Sequence, residues 1–244
     1  SYTYNMIDNT EIFENAGESF GKFQKLLNDY PSETLLETIP DFHNTPKRVE
    51  SLENSVKADV ASRASGVQNE IDFALSRKEK AGLALSLWEM GEIPLRVTHN
   101  DTKLNNILFD ADSHKGLCVI DLDTIMPGLS LYDFGDAIRF GAKTAEEDEP
   151  DLSKVSISLP LYEAFTRGYL SSCAAALTRA EVDSLAFSAF LMTYECGVRF
   201  LTDYLDGDVY FRTAYPEHNL VRARNQFKMV EEIEKNLPEM NRIT

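Results

Sequence analysis

Three polar side chains near the middle of the sequence are of types that handle phosphate and hydroxyl groups. Asp101 and Asn106 lie close together in the chain, and Asp121 follows them at the end of an apolar run. Carboxylate and amide oxygens are ligands that Mg²⁺ takes, usually with substrate phosphates completing its coordination. A carboxylate that is not bound to metal can accept the proton of a substrate hydroxyl. Together these residues could hold a magnesium–phosphate group beside a hydroxyl acceptor.

Two apolar runs separated by a polar loop predict how these side chains come together. Residues 106–110 and 117–121 form short apolar runs, which are typical of the strands of a β-hairpin. If the strands pair symmetrically about the centre of the loop, Asn106 faces Asp121 at the open end. Asp101 lies in the loop that feeds the first strand, so we expect all three side chains at one mouth.

The remainder of the sequence has patterns typical of helices. Residues 11–30 form an amphipathic run, Thr45-Pro46 is a typical helix start, and a long helical stretch follows Ser65. A capping-box pattern, Thr178-Arg-Ala-Glu181, precedes apolar residues at helical spacing. We therefore expect one domain over residues 1–244, mainly α-helical with a small β-hairpin.

The composition excludes several classes of partner. The chain has 24 Lys and Arg against 40 Asp and Glu, which gives a net charge of −16. Nucleic acids and anionic membrane surfaces are bound through clustered basic residues, so neither is an expected partner. No apolar run reaches the roughly 18 residues of a membrane-spanning helix. The three cysteines form no C-x-x-C pair, so we expect a reducing, cytoplasmic location rather than a disulfide framework.

The order of these motifs resembles the catalytic segment of the protein-kinase-like superfamily. The pattern His99-x-Asp101-x-x-x-x-Asn106, followed by Ile120-Asp-Leu-Asp123, is similar to the branch of aminoglycoside phosphotransferases and choline kinases. Longer strings resemble the kinases that phosphorylate N-acetylhexosamines at position 1, at residues 95–106, 120–128, 132–139, 200–210 and 215–224. The resemblance covers most of the chain, and it implies the fold of the C-terminal lobe of such a kinase.

The resemblance implies roles for the matching residues of the central segment. Asp101 would be the catalytic base, and Lys103 would neutralise charge on the transferring phosphoryl group. Asn106 and Asp121 would hold Mg²⁺ against the phosphates of ATP, and Asp123 would support the metal or touch the substrate. The simpler alternatives are that Lys103 is an exposed lysine and that Asp101 and Asn106 only satisfy backbone groups of the loop.

Two further residues, Arg199 and Tyr210, match positions of the sugar-binding site in the resembling kinases. Asn100, between His99 and Asp101, is another candidate for contact with the sugar. Arg199 is also spaced from Glu195 and Asp203 as in a helical ladder of ion pairs. Tyr210 could instead be an aromatic residue of the core.

Other polar segments have structural interpretations. His99 is expected to brace the catalytic loop, which is the segment from His99 to Asn106. Asp133-Phe-Gly135 spells the metal motif of protein kinases, but the hairpin requires the metal carboxylate at its own end. We therefore expect Asp133 to cap the following helix or to brace the catalytic loop. The acidic run at residues 146–149 predicts a solvated loop.

The resemblance implies an ATP- and Mg²⁺-dependent kinase that phosphorylates the anomeric hydroxyl of an N-acetylhexosamine. The N-terminal lobe of such kinases carries a glycine-rich phosphate loop and a strand lysine, and neither has a counterpart in this sequence. We therefore expect the chain to be the catalytic, sugar-binding lobe, with the missing N-terminal lobe as its partner and little kinase activity alone. The sequence does not indicate an oligomeric state.

Two alternative functions remain open at this point. One is a kinase of the same branch for another small molecule, such as an amino alcohol, an aminoglycoside or a different sugar. The acidic composition suits a cationic acceptor of this kind. The other is a lobe that binds a ligand without transferring phosphate.

Overall fold

The described part of the chain, residues 1–4 and 8–244 of a computed structural model, is mainly helical with two small pairs of strands. The helices are α1 (Thr10–Leu26), α2 (Thr45–Ala58), α3 (Gln68–Leu75), α4 (Leu83–Glu89), α5 (Ser130–Gly141), α6 (Leu159–Cys173), α7 (Arg179–Asp183), α8 (Leu185–Leu205) and α9 (His218–Ile243). The strands are β1 (Arg96–Thr98), β2 (Ile107–Phe109), β3 (Gly116–Val119) and β4 (Met126–Gly128). The expected fold class, mainly α with a small hairpin, is confirmed. No helix in these described ranges is long and apolar enough to cross a membrane.

Strands β2 and β3 form the expected antiparallel hairpin, but its register differs from the symmetric one. Ile107 pairs with Val119, and the N–H of Ile120 donates to the carbonyl oxygen of Asn106 at 2.9 Å. Asn106 therefore lies opposite Ile120. The prediction that it faces Asp121 is wrong by one residue.

The loop of the hairpin explains this shift. The Asp110 carboxylate accepts hydrogen bonds from the backbone N–H groups of Asp112, at 3.2 Å, and Ser113, at 2.9 Å. This arrangement is an Asx turn. His114 then takes a left-handed conformation with φ of 54°. The asymmetric turn, together with an irregularity in the strand pairing at Phe109, places the strands one residue away from the symmetric register.

Strands β1 and β4 form a second antiparallel pair, with Arg96 opposite Gly128 and Thr98 opposite Met126. The segment from residue 99 to residue 106 therefore leaves one strand pair and enters the other. Both of its ends are held by backbone pairing, which limits how far the loop between them can move.

The helical core brings two groups of helices together. Helix α8 lies at its centre and packs against α2, α5 and α9. Helix α1 packs so closely on α6 that a Cβ atom on Gly17 would lie 2.2 Å from the carbonyl oxygen of Phe165. A Cβ atom on Gly168 would lie 2.0 Å from the carbonyl oxygen of Glu14. Glycine at both positions is therefore required for this close approach.

Some helix boundaries differ from those expected. The stretch after Ser65 is divided into α3, a 3-10 turn at Lys78–Gly82, and α4. Helix α2 is capped by Asn44, which accepts a hydrogen bond from the N–H of Lys47 at 3.2 Å, rather than by Thr45. Helix α1 ends at Leu26, before the end of the amphipathic run. The capping box at the start of α7 is confirmed, with both of its reciprocal hydrogen bonds present.

The acidic run at residues 146–149 is a loop, as predicted, and its side chains Glu146 and Asp148 are exposed. Part of it is nevertheless fixed to the helices. Glu147 lies 2.8 Å from the guanidinium of Arg139 on α5. Asn225 of α9 donates to the carbonyl oxygens of Glu146, at 3.0 Å, and Glu149, at 3.3 Å. The loop therefore also neutralises a buried base and docks on α9.

A buried ion pair joins β1 to α7 and to the start of α5. Glu181 accepts hydrogen bonds from Nε and Nη2 of Arg96, at 2.6 and 2.7 Å, and from Ser130 at 2.7 Å. The backbone N–H of Thr178 donates to it as well, at 2.7 Å. Burial opposes the ionisation of Glu181, but these donors outweigh it and lower the pKa of the carboxyl group. The strand that leads into the catalytic loop is thereby fixed to the helical core.

The Glu181→Gln variant should lose about 3–5 kcal/mol of unfolding free energy, because it leaves a buried guanidinium without its counter-charge. Urea unfolding followed by circular dichroism measures this loss. The matched control is Asp183→Asn, which removes an exposed ion pair with Arg179 and should cost about 0–1 kcal/mol. Equal losses in the two variants would contradict the role of the buried pair.

The same pair predicts a dependence of stability on pH. Because the pKa of Glu181 is lowered in the folded state, its contribution is complete above the ordinary glutamate pKa. The contribution is lost as the pH falls through the lowered value. Glu181→Gln should therefore flatten the acid side of the curve of unfolding free energy against pH. If the loss of stability at acid pH is the same in the variant as in the unchanged protein, the ion pair of Glu181 and Arg96 is not its cause.

Candidate active site

The loop between β1 and β2 brings three of the predicted site residues into contact. Nδ2 of Asn106 donates to the carbonyl oxygen of Asp101 at 2.8 Å and to its carboxylate at 3.1 Å. Nζ of Lys103 lies 2.7 Å from the other carboxylate oxygen of Asp101, whose side chain is 25% exposed. The carboxylate is thus held between an amide and an ammonium group and remains open to a ligand. Lys103 is engaged with Asp101 rather than being only a solvated lysine.

The two other predicted metal residues follow the hairpin. Asp121 comes directly after Ile120, the residue paired with Asn106, and is exposed with a left-handed φ of 61°. Asp123 is exposed in the 3-10 turn Leu122–Thr124. Within the described ranges, no three His, Cys, Asp or Glu side chains converge as a metal site.

The donor chemistry at this mouth nevertheless suits Mg²⁺. Because Nδ2 of Asn106 faces Asp101, its amide oxygen is the atom left for a cation. An amide oxygen and one carboxylate, with phosphate oxygens completing the shell, form a ligand set typical of Mg²⁺ bound with a nucleotide. Asn106 and Asp121 are therefore the residues that would hold such an ion, with Asp123 beside them.

The backbone of the loop rests on one buried carboxylate, that of Asp133. It accepts hydrogen bonds from the N–H groups of His99, at 2.9 Å, and Asn100, at 2.8 Å, and from Nε2 of Gln24 at 2.8 Å. The hydroxyl of Thr102 donates to the backbone carbonyl oxygen of Asp133 at 2.5 Å. Burial raises the pKa of Asp133, while these N–H donors favour its ionised form. The prediction that Asp133 braces the loop is confirmed; the cap position of α5 is Leu129.

His99 holds the loop from the opposite side. Its Nε2 atom lies 2.9 Å from the carbonyl oxygen of Ile120, and its Nδ1 atom accepts from the N–H of Asp101 at 3.3 Å. The ring also makes edge-on contacts with Phe20 and Phe23 of α1. His99 is fully buried, and its expected structural role is confirmed.

Asn100 supports the loop with the side chain that was expected to contact sugar. Its Nδ2 donates to the carbonyl oxygens of Thr98, at 3.2 Å, and Thr124, at 2.9 Å. The residue has a left-handed φ of 63°, which asparagine tolerates better than most residues. Both hydrogen-bond donors of the amide are therefore used by the fold, and its contact with sugar stays a prediction.

His43 links the catalytic loop to helix α8, a role that the sequence did not indicate. Its Nδ1 lies 2.8 Å from the Glu195 carboxylate, and its Nε2 lies 3.3 Å from the carbonyl oxygen of Asn100. Thr45 donates to the other oxygen of Glu195 at 2.6 Å. Burial opposes the ionisation of Glu195, but His43 and Thr45 lower its pKa overall. The loop and α8 are thereby joined through one imidazole ring.

Arg199 and Tyr210 lie together in a cleft of about 330 Å³, as their predicted shared function requires. The guanidinium carbon of Arg199 is 5.9 Å from the ring centre of Tyr210, 5.6 Å from that of Phe42 and 5.5 Å from that of Phe211. Tyr210 is 71% exposed, so the alternative of a core aromatic residue is wrong.

The ion pairs expected along α8, between Arg199 and the carboxylates of Glu195 and Asp203, do not form either. Glu195 pairs with His43. The carboxylate of Asp203 accepts backbone N–H groups of the segment after α8, at residues 209, 210 and 211. Arg199 makes no salt bridge in the part of the chain that the structure describes. Its guanidinium is therefore available to a ligand.

A second cleft of about 330 Å³ is lined in part by Phe42. Its aromatic lining includes Trp88 and Tyr132, and Asn100 of the catalytic loop borders it. The carboxylate of Asp41 also lines this cleft, although it is paired with Lys47 at 2.6 Å. The catalytic loop thus has an aromatic, partly acidic cleft beside it.

A helical lobe with this loop, hairpin and exposed carboxylate defines a kinase-like phosphotransferase. The chain belongs to the phosphotransferase enzyme family known as APH, whose sequence pattern matches residues 8–177. The match includes the catalytic loop and Asp121, and it ends before Arg199 and Tyr210.

Two solved kinases share the fold. Choline kinase from Cryptosporidium parvum superposes with a TM-score of 0.57 at 15% identity, over 98% of this chain and 68% of that chain. Ethanolamine kinase from Plasmodium vivax gives a TM-score of 0.54 at 16% identity, over 93% of this chain and 62% of that chain. The chain therefore spans about two thirds of the length of these kinases.

Replacing Asp133 by Asn should destabilise the protein by roughly 2–4 kcal/mol, because the new NH₂ group faces an N–H donor and leaves it unsatisfied. Urea unfolding measures the loss, and hydrogen exchange should show faster exchange at the amides of His99 and Asn100. The control is Asp112→Asn in the exposed hairpin loop, expected to change stability by less than about 0.5 kcal/mol. Unaltered exchange at both amides would show that Asp133 does not hold the loop.

Proposed function

We propose that this chain is the catalytic, acceptor-binding lobe of an ATP-dependent kinase acting on a sugar hydroxyl. The acceptor is an N-acetylhexosamine, and the hydroxyl is the anomeric one. The contact of Asp101 with Lys103 and Asn106 carries the proposal, because it combines a solvent-accessible carboxylate with a cation and a ligand for metal. Membership of the phosphotransferase family supports transfer of a phosphoryl group.

The proposed reaction uses Asp101 as the base. Its carboxylate accepts the proton of the sugar hydroxyl as the sugar oxygen forms a bond to the γ-phosphorus of ATP. The bond between that phosphorus and the bridging oxygen breaks, and ADP leaves. Lys103, 2.7 Å from Asp101, stabilises negative charge on the phosphoryl group in transit. Mg²⁺ bound with ATP would neutralise the phosphates, and Asn106 and Asp121 are the residues to hold it.

The choice of a sugar as acceptor rests on the cleft of Arg199 and Tyr210. An exposed aromatic ring beside a guanidinium with free donors suits a ring that carries many hydroxyl oxygens. One of the sequence strings that resemble N-acetylhexosamine kinases, residues 200–210, lines this cleft. The proposal also includes an N-terminal lobe for the nucleotide, since the chain spans 68% and 62% of the two solved kinases.

The second candidate is a kinase for a cationic amino alcohol. The aromatic cleft of Phe42, Trp88 and Tyr132 favours it, because a cation held against such rings gains about 0.5–2 kcal/mol. The net charge of −16 also attracts cations. Two solved structures of similar fold are a choline kinase and an ethanolamine kinase.

A panel of acceptors separates the two candidates. Transfer of labelled phosphate from ATP would be measured with N-acetylglucosamine, N-acetylgalactosamine, choline, ethanolamine and an aminoglycoside. The full-length gene product and the 244-residue chain would be assayed in parallel. We expect an N-acetylhexosamine to be the best acceptor for the full-length protein and little transfer by the chain alone. Choline or ethanolamine as the best acceptor would replace the sugar proposal with the second candidate.

Changing Asp101 to Asn should lower turnover by about 10²–10⁴-fold, the usual range for loss of a general base. The acceptor should still bind, because the amide keeps the shape of the side chain. Initial rates in the presence of saturating ATP test this, with Asp112→Asn as an exposed control that should keep its activity. Near-normal turnover by Asp101→Asn would rule out Asp101 as the base.

A further inference from the structure

Arg48 is a second guanidinium in the cleft that holds Arg199 and Tyr210. It lies in the first turns of α2, is half-buried, and donates from Nη2 to the carbonyl oxygen of Phe42 at 2.8 Å. Its Nε atom is buried and has no hydrogen-bond partner among the described residues. A buried N–H donor without an acceptor is costly, so this atom is suited to an oxygen supplied by a ligand.

Two neighbouring guanidinium groups without a salt-bridge partner repel each other in the absence of a ligand. Burial and the positive charge of Arg199 lower the pKa of Arg48, and they outweigh the opposing effect of Glu195 and Asp41. Neither arginine makes a salt bridge in the part of the chain that the structure describes. Other arginines of this acidic chain do pair, for example Arg63 with Asp208, Arg77 with Glu234 and Arg96 with Glu181.

The acidic residues near the cleft form no salt bridge with either arginine among the described residues, although the charge of Glu195 acts on both. Glu195 is engaged with His43 and Thr45. Asp203 is engaged with backbone N–H groups and with Nδ2 of Asn219 at 2.8 Å. Asp206 also lines the cleft but forms no salt bridge with either arginine. The cleft therefore presents the donors of two unpaired guanidinium groups to a ligand, beside the carboxylates of Asp203 and Asp206.

We infer that Arg48 is a specificity-determining residue that, with Arg199, binds an acyl oxygen of the acceptor and rejects an ammonium group at the same position. For the proposed sugar, this oxygen is the carbonyl of the N-acetyl group. The carbonyl accepts hydrogen bonds from the paired guanidinium groups, including the buried Nε–H of Arg48. A hexosamine without the acetyl group places a positive charge against two others. The inference rests on the proposed function. It adds that the N-acetyl group is the part of the sugar that Arg48 and Arg199 recognise.

Calorimetric titration with N-acetylglucosamine and glucosamine at neutral pH tests the inference, because these ligands differ only in acetamido against ammonium. We expect the unchanged protein to bind the acetylated sugar at least about tenfold more tightly. Arg48→Gln should weaken binding of N-acetylglucosamine about tenfold, the value of one hydrogen bond from a charged donor, and should reduce the discrimination. Arg48→Lys keeps the charge but not the planar donors, so it should still reject glucosamine while binding the acetylated sugar weakly.

Arg179→Gln is the matched control, since Arg179 lies on the surface of α7 and pairs only with Asp183. Thermal unfolding of each variant shows whether it is folded. If Arg48→Gln does not fold, Arg48→Lys provides the test of the inference. Unchanged affinity and discrimination in both Arg48 variants would overturn the inference while leaving sugar phosphorylation intact. Binding of choline but of neither sugar by the unchanged protein would overturn the proposed function and the inference with it.

Discussion

The geometry of the catalytic loop depends on the buried carboxylate of Asp133. Two of its three hydrogen-bond donors are consecutive backbone N–H groups, those of His99 and Asn100, and Asn100 has a positive φ. A backbone in this conformation persists only where its surroundings fix it. Asp101 comes directly after Asn100 in the chain. The buried carboxylate of Asp133 therefore also sets the direction of the Asp101 side chain. The contacts with Lys103 and Asn106 can form because this backbone is already in place.

The sequence predicted the parts of the structure that local patterns determine. The mainly helical fold, the hairpin, the capping box and the structural roles of His99 and Asp133 are all confirmed. The register of the hairpin was wrong because the Asx turn at Asp110 and the positive φ of His114 are properties of one loop, which strand patterns do not record. The Arg199 ladder failed for a similar reason, since the spacing on one helix says nothing about competing partners such as His43.

The residues that the sequence did not indicate are those that act across the fold. His43 lies far in sequence from both Asn100 and Glu195, and Arg48 is far from Arg199. No periodicity or short motif marks such pairs, because their proximity is created by the packing of α2 against α8. The family match has a related limit: it extends over the loop and hairpin but ends at residue 177. The segment with Asp101, Asn106 and Asp121 is thus easier to recognise from the sequence than the cleft of Arg199 and Tyr210.

The single imidazole between the loop and α8 also has a consequence for local stability. Fluctuations that open part of a protein tend to involve contiguous cooperative units. Because His43 contacts both Asn100 and Glu195, displacement of the segment before α2 would break the contacts of the loop at residues 99–106 and of the central helix α8 in the same event. The loop and α8 therefore belong to one opening unit, and a substitution at the entrance to α2 would affect the local stability of both.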